Sequence, residues 1–297
     1  MSITRVLQPH VCCVGNPVAG NPTQFVMYRA ARAAGVDWRF FTSQVAVEQF
    51  ETAFRGIQAL GLDGVAVLEP FQTQAIPLLD SVTESALALG RVNVARSDGN
   101  SWLGDNTLGA AIARCIEPSL VGTETPDSKV PSEGVQTHRG SVVVLNEPTV
   151  AKVVRLAAHA FSERIVDAGE AAIESSGSVE NAEGMSSQMP PQVEPLDRFS
   201  QKEKPVEFLI LSSVPSTTSL RQIAALAWSV NAGCLVLGSG SEKQLRPLRE
   251  NLRQRNVNFI EPVELMANQA AADFFFWTGV APSVELIRES FEEYLQW

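Results

Sequence analysis

The sequence predicts an α/β protein with two domains, and two observations support this. Short apolar runs typical of strands alternate with helical patterns almost throughout the 297 residues, which indicates βαβ units and parallel sheets. One stretch rich in Thr, Pro, Ser and Gly, residues 119–141, interrupts the alternation. That composition is typical of a linker. We therefore expect one α/β domain before it and a second α/β domain after it.

The first half contains four apolar runs that we predict to be strands: Val11–Val14, Trp38–Phe41, Val65–Leu68 and Val92–Ala95. Helical patterns occur between and after them, at about residues 24–34, 47–60, 73–79, 84–89 and 107–116. The order strand, helix, strand repeats several times. This half therefore has the pattern of a complete α/β domain.

The second half repeats the alternation. Strands are predicted at 141–145, 164–167, 207–211, 234–237 and 257–260, and helices at about 150–161, 220–228 and 242–253. Two further helices, about 262–277 and 282–295, close the chain. Residues 175–204 contain six Ser, three Pro and four Glu. Such a segment buries little apolar area, so we predict a mobile insertion.

Composition excludes several function classes. The 33 acidic residues outnumber the 23 basic ones, giving a formal charge of −10, and an acidic surface repels nucleic acids and anionic membranes. We find neither a secretory signal nor an apolar run long enough to span a membrane, and we expect a cytoplasmic protein. The four cysteines form no CxxC pair and are predicted to be reduced core residues. The three scattered histidines do not suggest a metal site.

Three short motifs carry a family resemblance. Gly15–Val18 follows the first predicted strand, Gly104–Thr107 precedes a helix, and Asn268–Ala271 leads into Phe276–Val280 near the end. Each fragment alone is weakly specific. In this order and at these spacings, they resemble the shikimate dehydrogenases across nearly the whole chain.

The resemblance implies a fold and an activity. Residues 1–118 and 263–297 would form the substrate domain, with the C-terminal helices returning to the first domain. Residues 140–262 would form a Rossmann-like domain with a doubly wound parallel sheet, interrupted by the insertion at 175–204. Members of this family interconvert shikimate and 3-dehydroshikimate with NADP, so an oxidoreductase fold of aromatic amino acid biosynthesis is implied.

The substrate motifs are only partly kept. In the family pattern GNPxxHSxSP, two serines hold the substrate carboxylate, and here Asn21 and Thr23 occupy those positions on either side of Pro22. Both side chains still form hydrogen bonds. They are therefore candidates for binding a small carboxylate, although an ordinary strand-to-helix turn explains the same residues.

The catalytic motif has changed further. The family pattern NVTxPxK becomes Ala66–Gln72, so Gln72 stands at the position of the family lysine. A glutamine cannot exchange a proton near neutral pH, and losing a general acid or base costs about 10²–10⁴ in rate. The lysine's partner in the family matches Asp105, a weak catalytic candidate that precedes a predicted helix. We favour a helix-capping role for this carboxylate over catalysis.

Two amide side chains match further substrate contacts of the family. Asn93 corresponds to an asparagine in the family's AVNT segment, and Gln269 to a glutamine at the start of the C-terminal helix. With Asn21, Thr23 and Asp105, they complete the predicted substrate-binding set. Hydrogen bonds to local backbone groups would explain both amides equally well.

The nucleotide motif is absent from the sequence. The family carries GAGG[AS]xR after the first strand of its second domain, where glycines let the backbone approach the pyrophosphate. Here Asn146, Glu147 and Pro148 follow that strand, and no glycine occurs up to Lys152. Glu147 adds negative charge and Pro148 removes an N–H. The family's NADP-recognising arginine is missing too, and Asp167 lies in that region. We therefore expect no cofactor, with NADP as the alternative.

These losses predict a catalytically inactive relative of the shikimate dehydrogenases. It would bind a small carboxylate or a protein partner, and it would not bind nucleic acid or membrane. The alternative is an active NADP-dependent shikimate or quinate-type dehydrogenase with an unusual site, which the surviving Gly104–Thr107 segment and Gln269 favour. The oligomeric state stays open, and a homodimer is compatible with the sequence.

Overall fold

The structure is a computed structural model that describes residues 8–120, 141–145, 148–157, 165–169, 194–195, 205–238 and 241–296. Two units of the chain are distinguished by their internal contacts. The first comprises Met1–Cys115, Lys152–Ala160 and Glu261–Trp297, and the second comprises Ile116–Ala151 and Phe161–Ile260. The predicted insertion at 175–204 lies outside the described residues, apart from 194–195.

The strands of the described residues are β1 (His10–Gly15), β2 (Arg39–Gln44), β3 (Gly64–Val67), β4 (Ser81–Val82), β5 (Val94–Ser97), β6 (Trp102–Asp105), β7 (Ser141–Leu145), β8 (Ile165–Gly169), β9 (Glu194–Pro195), β10 (Val206–Leu211), β11 (Trp228–Val236) and β12 (Asn258–Ile260). Those numbered β1–β6 form one sheet, and β7–β12 form another.

The α-helices of the described residues are α1 (Thr23–Ala34), α2 (Phe50–Ala59), α3 (Glu84–Leu89), α4 (Leu108–Leu120), α5 (Pro148–Ala157), α6 (Thr217–Ala225), α7 (Glu242–Arg253), α8 (Pro262–Thr278) and α9 (Val284–Leu295). Most lie within a few residues of the predicted helices, because their apolar positions recur with the period of a helix.

The first unit contains the sheet ordered β2-β1-β3-β5-β6-β4. Strands β1, β2 and β3 pair in parallel, as predicted for βαβ units. Strand β5 is antiparallel to both β3 and β6. The predicted parallel pairing is therefore wrong for β5, which a short connection rather than a long helical crossover links to β6.

Alternate residues of β1 face opposite sides of this sheet. Val11 and Cys13 belong to one buried cluster, which includes apolar residues of α1, α8 and α9. Cys12 and Val14 belong to the cluster on the other face, with Phe54 of α2. A strand buried on both faces has a continuous apolar sequence, which is the pattern that β1 shows.

The second unit contains a parallel sheet ordered β12-β11-β10-β7-β8-β9. Its central strands β7 and β10 are almost wholly buried. Their residues pack with those of α6 and α7 in a single apolar cluster. The predicted Rossmann-like parallel-sheet architecture is confirmed.

Two predicted helices differ from the structure. The helix expected at 73–79 is reduced to a 3₁₀ turn at Ile76–Leu78, because Pro77 has no N–H for a longer helix. The helix expected at 220–228 ends at Ala225, and Trp228 begins β11 instead. β-Branched and aromatic residues at Trp228–Val230 favour a strand over another helical turn.

Candidate functional site

A cavity of about 240 Å³ lies within the first unit. Segments far apart in the sequence supply its wall: the loop before α1, the end of β3, the start of β5 and helices α8 and α9. Its polar side chains are Asn21, Thr23, Gln72, Asn93, Gln269 and Asp273. Four of the five predicted substrate-binding residues therefore line one cavity; Asp105 does not.

The turn before α1 positions the first two of these residues. The Oδ1 of Asn21 accepts a hydrogen bond from the backbone N–H of Thr23 at 3.0 Å, and Pro22 stands between them at the helix N-cap. Such a side-chain turn is a local reason for having Asn at this position. It uses only the oxygen of Asn21 among the described residues, so the Nδ2 group can donate to a ligand.

The wall beneath the turn is partly apolar. Ala66 and Leu68 line the cavity at the end of β3, beside Gln72. The Nε2 of Gln72 donates to the backbone carbonyl of Val67 at 3.2 Å. This bond holds the amide against its own strand and leaves its Oε1 as an acceptor. No group of Gln72 can serve as an acid or base near neutral pH.

A buried network joins the residues that precede β5 and α4 to helix α8. Asn93 donates from Nδ2 to the hydroxyl of Thr107 at 2.9 Å and to Oδ1 of Asp273 at 3.0 Å. Its own Oδ1 accepts from the Thr107 N–H at 3.0 Å. The Thr107 hydroxyl donates to the same oxygen of Asp273 at 2.6 Å. Asn93 thus satisfies a local backbone group, one of the two roles predicted for it.

Asp273 is a site residue that sequence reasoning missed. It is half-buried at the cavity wall. Burial raises the pKa of this carboxyl from 3.8 to about 7, and the nearby Asp105 also raises it, whereas the hydrogen bonds from Thr107 and Asn93 oppose the shift. One signal was available: an acid stands within the otherwise apolar run Ala270–Trp277, and charged residues are seldom buried without a reason.

The other predicted site residues have different surroundings. Gln269 lies one helical turn before Asp273 on α8, and it lines the cavity. The carboxylate of Asp105 accepts from the Thr83 hydroxyl and from the Asn106 N–H at 2.7 Å. The helix-capping role expected for Asp105 is wrong, because Asn106 supplies the oxygen that accepts from the N–H of Leu108 at 3.2 Å. A catalytic role for Asp105 stays a prediction.

The cavity wall carries negative charge and no positive charge. Among the residues of the described chain that line it, none is Lys, Arg or His, and Asp273 is the acidic one. A ligand carboxylate would find amide and hydroxyl groups there but no cation. The predicted binding of a small carboxylate thus lacks the charged partner that such groups commonly use.

The connection between β7 and α5 in the second unit differs from the phosphate-binding turn that holds a dinucleotide. Strand β7 ends at Leu145 and α5 begins at Pro148, which has no backbone N–H. The predicted cap residues Asn146 and Glu147 lie outside the described residues. Asp167 lies within β8, paired with Val144. A two-residue connection without glycine does not fit the phosphate-binding turn of a Rossmann domain.

Comparisons with known proteins agree with this fold. The family model described as the shikimate dehydrogenase substrate binding domain matches residues 13–95. The shikimate dehydrogenase (NADP(+)) of Bacillus subtilis strain 168 is 24% identical over 280 residues, 93% of each chain. That of Geobacter metallireducens is 34% identical over 117 residues, 39% of this chain and 40% of the relative.

A solved structure extends the likeness to the whole chain. The shikimate 5-dehydrogenase from Thermus thermophilus, in complex with NADP(H) and shikimate, aligns with a TM-score of 0.65. The alignment covers 97% of this chain and 100% of that chain at 15% identity. The chain is similar to the shikimate dehydrogenases over nearly its whole length. Its fold is that of the family, whereas its cavity and its β7–α5 connection depart from the family motifs.

The described residues contain no group of three or more His, Cys, Asp or Glu side chains able to hold a metal ion. None of their helices is long and apolar enough to cross a membrane. All four cysteines are free and buried, as predicted. Burial raises the pKa of Cys13, which lies near Asp273, to about 12, so this thiol stays protonated at neutral pH.

Proposed function

We propose that this shikimate dehydrogenase-like protein binds a small hydroxylated molecule in the cavity of its first unit and does not transfer hydride to or from NADP. The proposal of ligand binding rests on the meeting of polar side chains in one cavity. Asn21, Thr23, Asn93 and Gln269 come from separate segments of the chain and line one cavity of about 240 Å³. Convergent polar groups in a partly apolar cavity are typical of a small-molecule site.

The remaining hydrogen-bonding capacity of the cavity supports a hydroxylated ligand. Among the described residues, Asn21 uses its oxygen and Gln72 uses its nitrogen in bonds to the protein. The amide nitrogen of Asn21 therefore remains as a donor and the amide oxygen of Gln72 as an acceptor. Hydroxyl groups can satisfy both kinds of partner, whereas an apolar ligand would leave them unpaired at a cost of about 1–3 kcal/mol each.

Two departures support the absence of hydride transfer. Gln72, at the family lysine position, has no group that gains or loses a proton near neutral pH. The connection from β7 to α5 lacks glycine and enters the helix at Pro148. Each departure affects a different requirement of the reaction, proton transfer and dinucleotide binding. Restoring one of them should not restore turnover.

The catalytic half is tested by measuring NADPH oxidation with 3-dehydroshikimate, using the wild type and Gln72→Lys. We expect neither protein to exceed the uncatalysed rate, because the nucleotide turn is absent in both. Turnover by the wild type would refute this half of the proposal. Turnover by Gln72→Lys alone would show that the second unit still accepts NADPH.

The binding half is tested with methyl shikimate, a neutral hydroxylated probe, by calorimetry. We expect saturable binding that Gln269→Leu weakens about tenfold, through loss of one hydrogen-bonding side chain at the wall. The matched control is Gln74→Leu, an exposed position outside the cavity lining. Equal affinities of the two variants would place the ligand elsewhere.

A second candidate function is an active NADP-dependent dehydrogenase, the alternative predicted from the sequence. The observation that favours it is Asp273, whose carboxyl has a pKa of about 7 and could exchange protons in the cavity. An enzyme of this kind would lose turnover in Asp273→Asn. The predicted protein partner and the possible homodimer stay predictions, which co-purification and sedimentation would test.

A further inference from the structure

The charges and hydrogen bonds of the cavity limit which chemical groups its ligand can carry. This inference rests on the proposed function. We infer that the cavity takes a hydroxylated ligand without a carboxylate, which donates a hydrogen bond to Asp273 from a hydroxyl or an ammonium group. This differs from the small carboxylate expected from the family motifs.

The geometry of Asp273 sets the first requirement. Within the described chain, both hydrogen bonds to its carboxylate, from Thr107 at 2.6 Å and from Asn93 at 3.0 Å, end on Oδ1. The second oxygen, Oδ2, receives neither of these bonds and keeps its acceptor capacity, and Asp273 lines the cavity. An ionised carboxylate only accepts hydrogen bonds. A ligand group next to Oδ2 must therefore be a donor.

The same network removes donors that a ligand carboxylate would need. Both N–H groups of Asn93 are directed to Thr107 and Asp273. The hydroxyl hydrogen of Thr107 is directed to Asp273 as well. The donor groups of Asn93 and Thr107 on this side of the cavity are therefore already hydrogen-bonded within the protein. A ligand carboxylate would have to displace it or remain unpaired here.

Electrostatics adds a second requirement. The cavity lining contains no Lys, Arg or His among the described residues, and the ionised Asp273 is half-buried. Like charges brought together in such surroundings repel more strongly than in bulk water. A neutral hydroxyl avoids this repulsion, and an ammonium group replaces it with attraction. The expected order of affinity therefore places the anion last.

The experiment uses three probes that share one ring and differ in charge. These are shikimate, its methyl ester, and the amine in which an aminomethyl group replaces the carboxylate. Their affinities for the full chain are measured by calorimetry at pH 8. We expect the ester to bind at least about tenfold more tightly than shikimate. An amine tighter than the ester would identify an ammonium ligand, and the reverse order would identify a hydroxyl.

The variant Asp273→Asn tests whether the carboxylate of Asp273 causes the preference for the ester over shikimate. It retains an oxygen that accepts from Thr107 and Asn93 but removes the charge. We expect the ester-to-acid ratio of affinities to fall to within about threefold of one. Glu48→Gln changes the net charge by the same amount at an exposed position, and it should leave the ratio unchanged. Circular dichroism establishes that both variants are folded.

The outcomes separate this inference from the proposed function. Shikimate binding as tightly as its ester, or an unchanged ratio in Asp273→Asn, would overturn the inference and leave the binding function intact. Failure of all three probes to bind would overturn the proposed function together with the inference.

Discussion

The two units of this chain differ from the shikimate dehydrogenase motifs in different ways. The first unit keeps an organised cavity, in which most of the predicted side chains face one space and the Asn93, Thr107 and Asp273 side chains are hydrogen-bonded to one another. The second unit keeps its parallel sheet and apolar core. Its departure lies in the connection between β7 and α5.

This difference between the units shows that the stability of a fold and the chemistry of a site depend on different residues. The sheet of the second unit is stabilised by buried side chains such as Val143, Leu209 and Cys234, and none of them needs a glycine turn after β7. The parallel sheet can therefore persist whichever residues connect β7 to α5. A polar cavity is different, because each of its buried groups must keep a partner.

The largest expected effect comes from removing the charge of Asp273. Its pKa is about 7 in the folded protein, against 3.8 for an unperturbed group. Between about pH 4 and pH 7 the folded state binds more protons, so this group lowers the free energy of unfolding as pH rises. Asp273→Asn should therefore stabilise the protein above pH 7, by at most about 4 kcal/mol.

The gain in stability of Asp273→Asn should vanish below about pH 4, where the wild-type carboxyl is protonated in both the folded and the unfolded state. Chemical denaturation at several pH values measures it, with Glu48→Gln as the control for net charge. The other titratable groups that interact with Asp273 are Asp105 and Cys13. A gain that is the same at pH 4 and pH 8 would contradict the assignment of the shift to Asp273.

A pair of glycine substitutions distinguishes the contribution of each unit to ligand binding. A Cβ on Gly64 would lie 2.6 Å from Cδ1 of Trp277 on α8, whose indole donates to the carbonyl of Ala95 at 3.0 Å. We expect Gly64→Ala to cost about 1–3 kcal/mol. It should also weaken binding of methyl shikimate, because α8 carries both Gln269 and Asp273.

The matched change in the second unit is Gly233→Ala, where a Cβ would lie 2.4 Å from the ring of Phe208. We expect a similar loss of stability, about 1–3 kcal/mol, with unchanged affinity for the probe. Thermal unfolding and calorimetry measure the two quantities. If both substitutions weaken binding equally, the division of roles between the units is wrong.

The smallest effect tests whether the first unit can be converted back to anion binding. Gln72→Lys would place an ammonium group on the wall of the cavity that contains Asp273. We expect the affinity for shikimate to rise about tenfold, or about 1.4 kcal/mol, because the lysine offsets the negative charge. Calorimetry at low and high salt measures it. An unchanged affinity at both salt concentrations would argue against charge as the cause of selectivity.

Sequence reasoning predicted the regular parts of the fold. Strands such as β1 and helices such as α7 have apolar positions with a clear pattern, a continuous buried run in the strand and a period of 3.6 residues in the helix. It missed β4 and β6, which have two and four residues. Strand β4 has too few positions to show a period. Gly104 and Asp105, residue types that are rare in strands, interrupt the apolar run in β6.

The candidate site was predicted where motifs define positions and missed elsewhere. Asn21, Thr23, Asn93 and Gln269 stand at motif positions, and the structure places them around one cavity. Asp273 belongs to no motif that we used. Its role depends on Thr107 and Asn93, which lie 166 and 180 residues away in the sequence. Such a contact follows from the tertiary structure rather than from any local pattern.

The central claim is the proposal that the cavity of the first unit binds a ligand and that the second unit does not bind a dinucleotide. The most direct test is calorimetric titration of the intact chain with NADPH, repeated with NADH, with methyl shikimate as the positive reference. The account predicts saturable heat with methyl shikimate and none with either nucleotide up to millimolar concentration. Saturable micromolar binding of NADPH would contradict it.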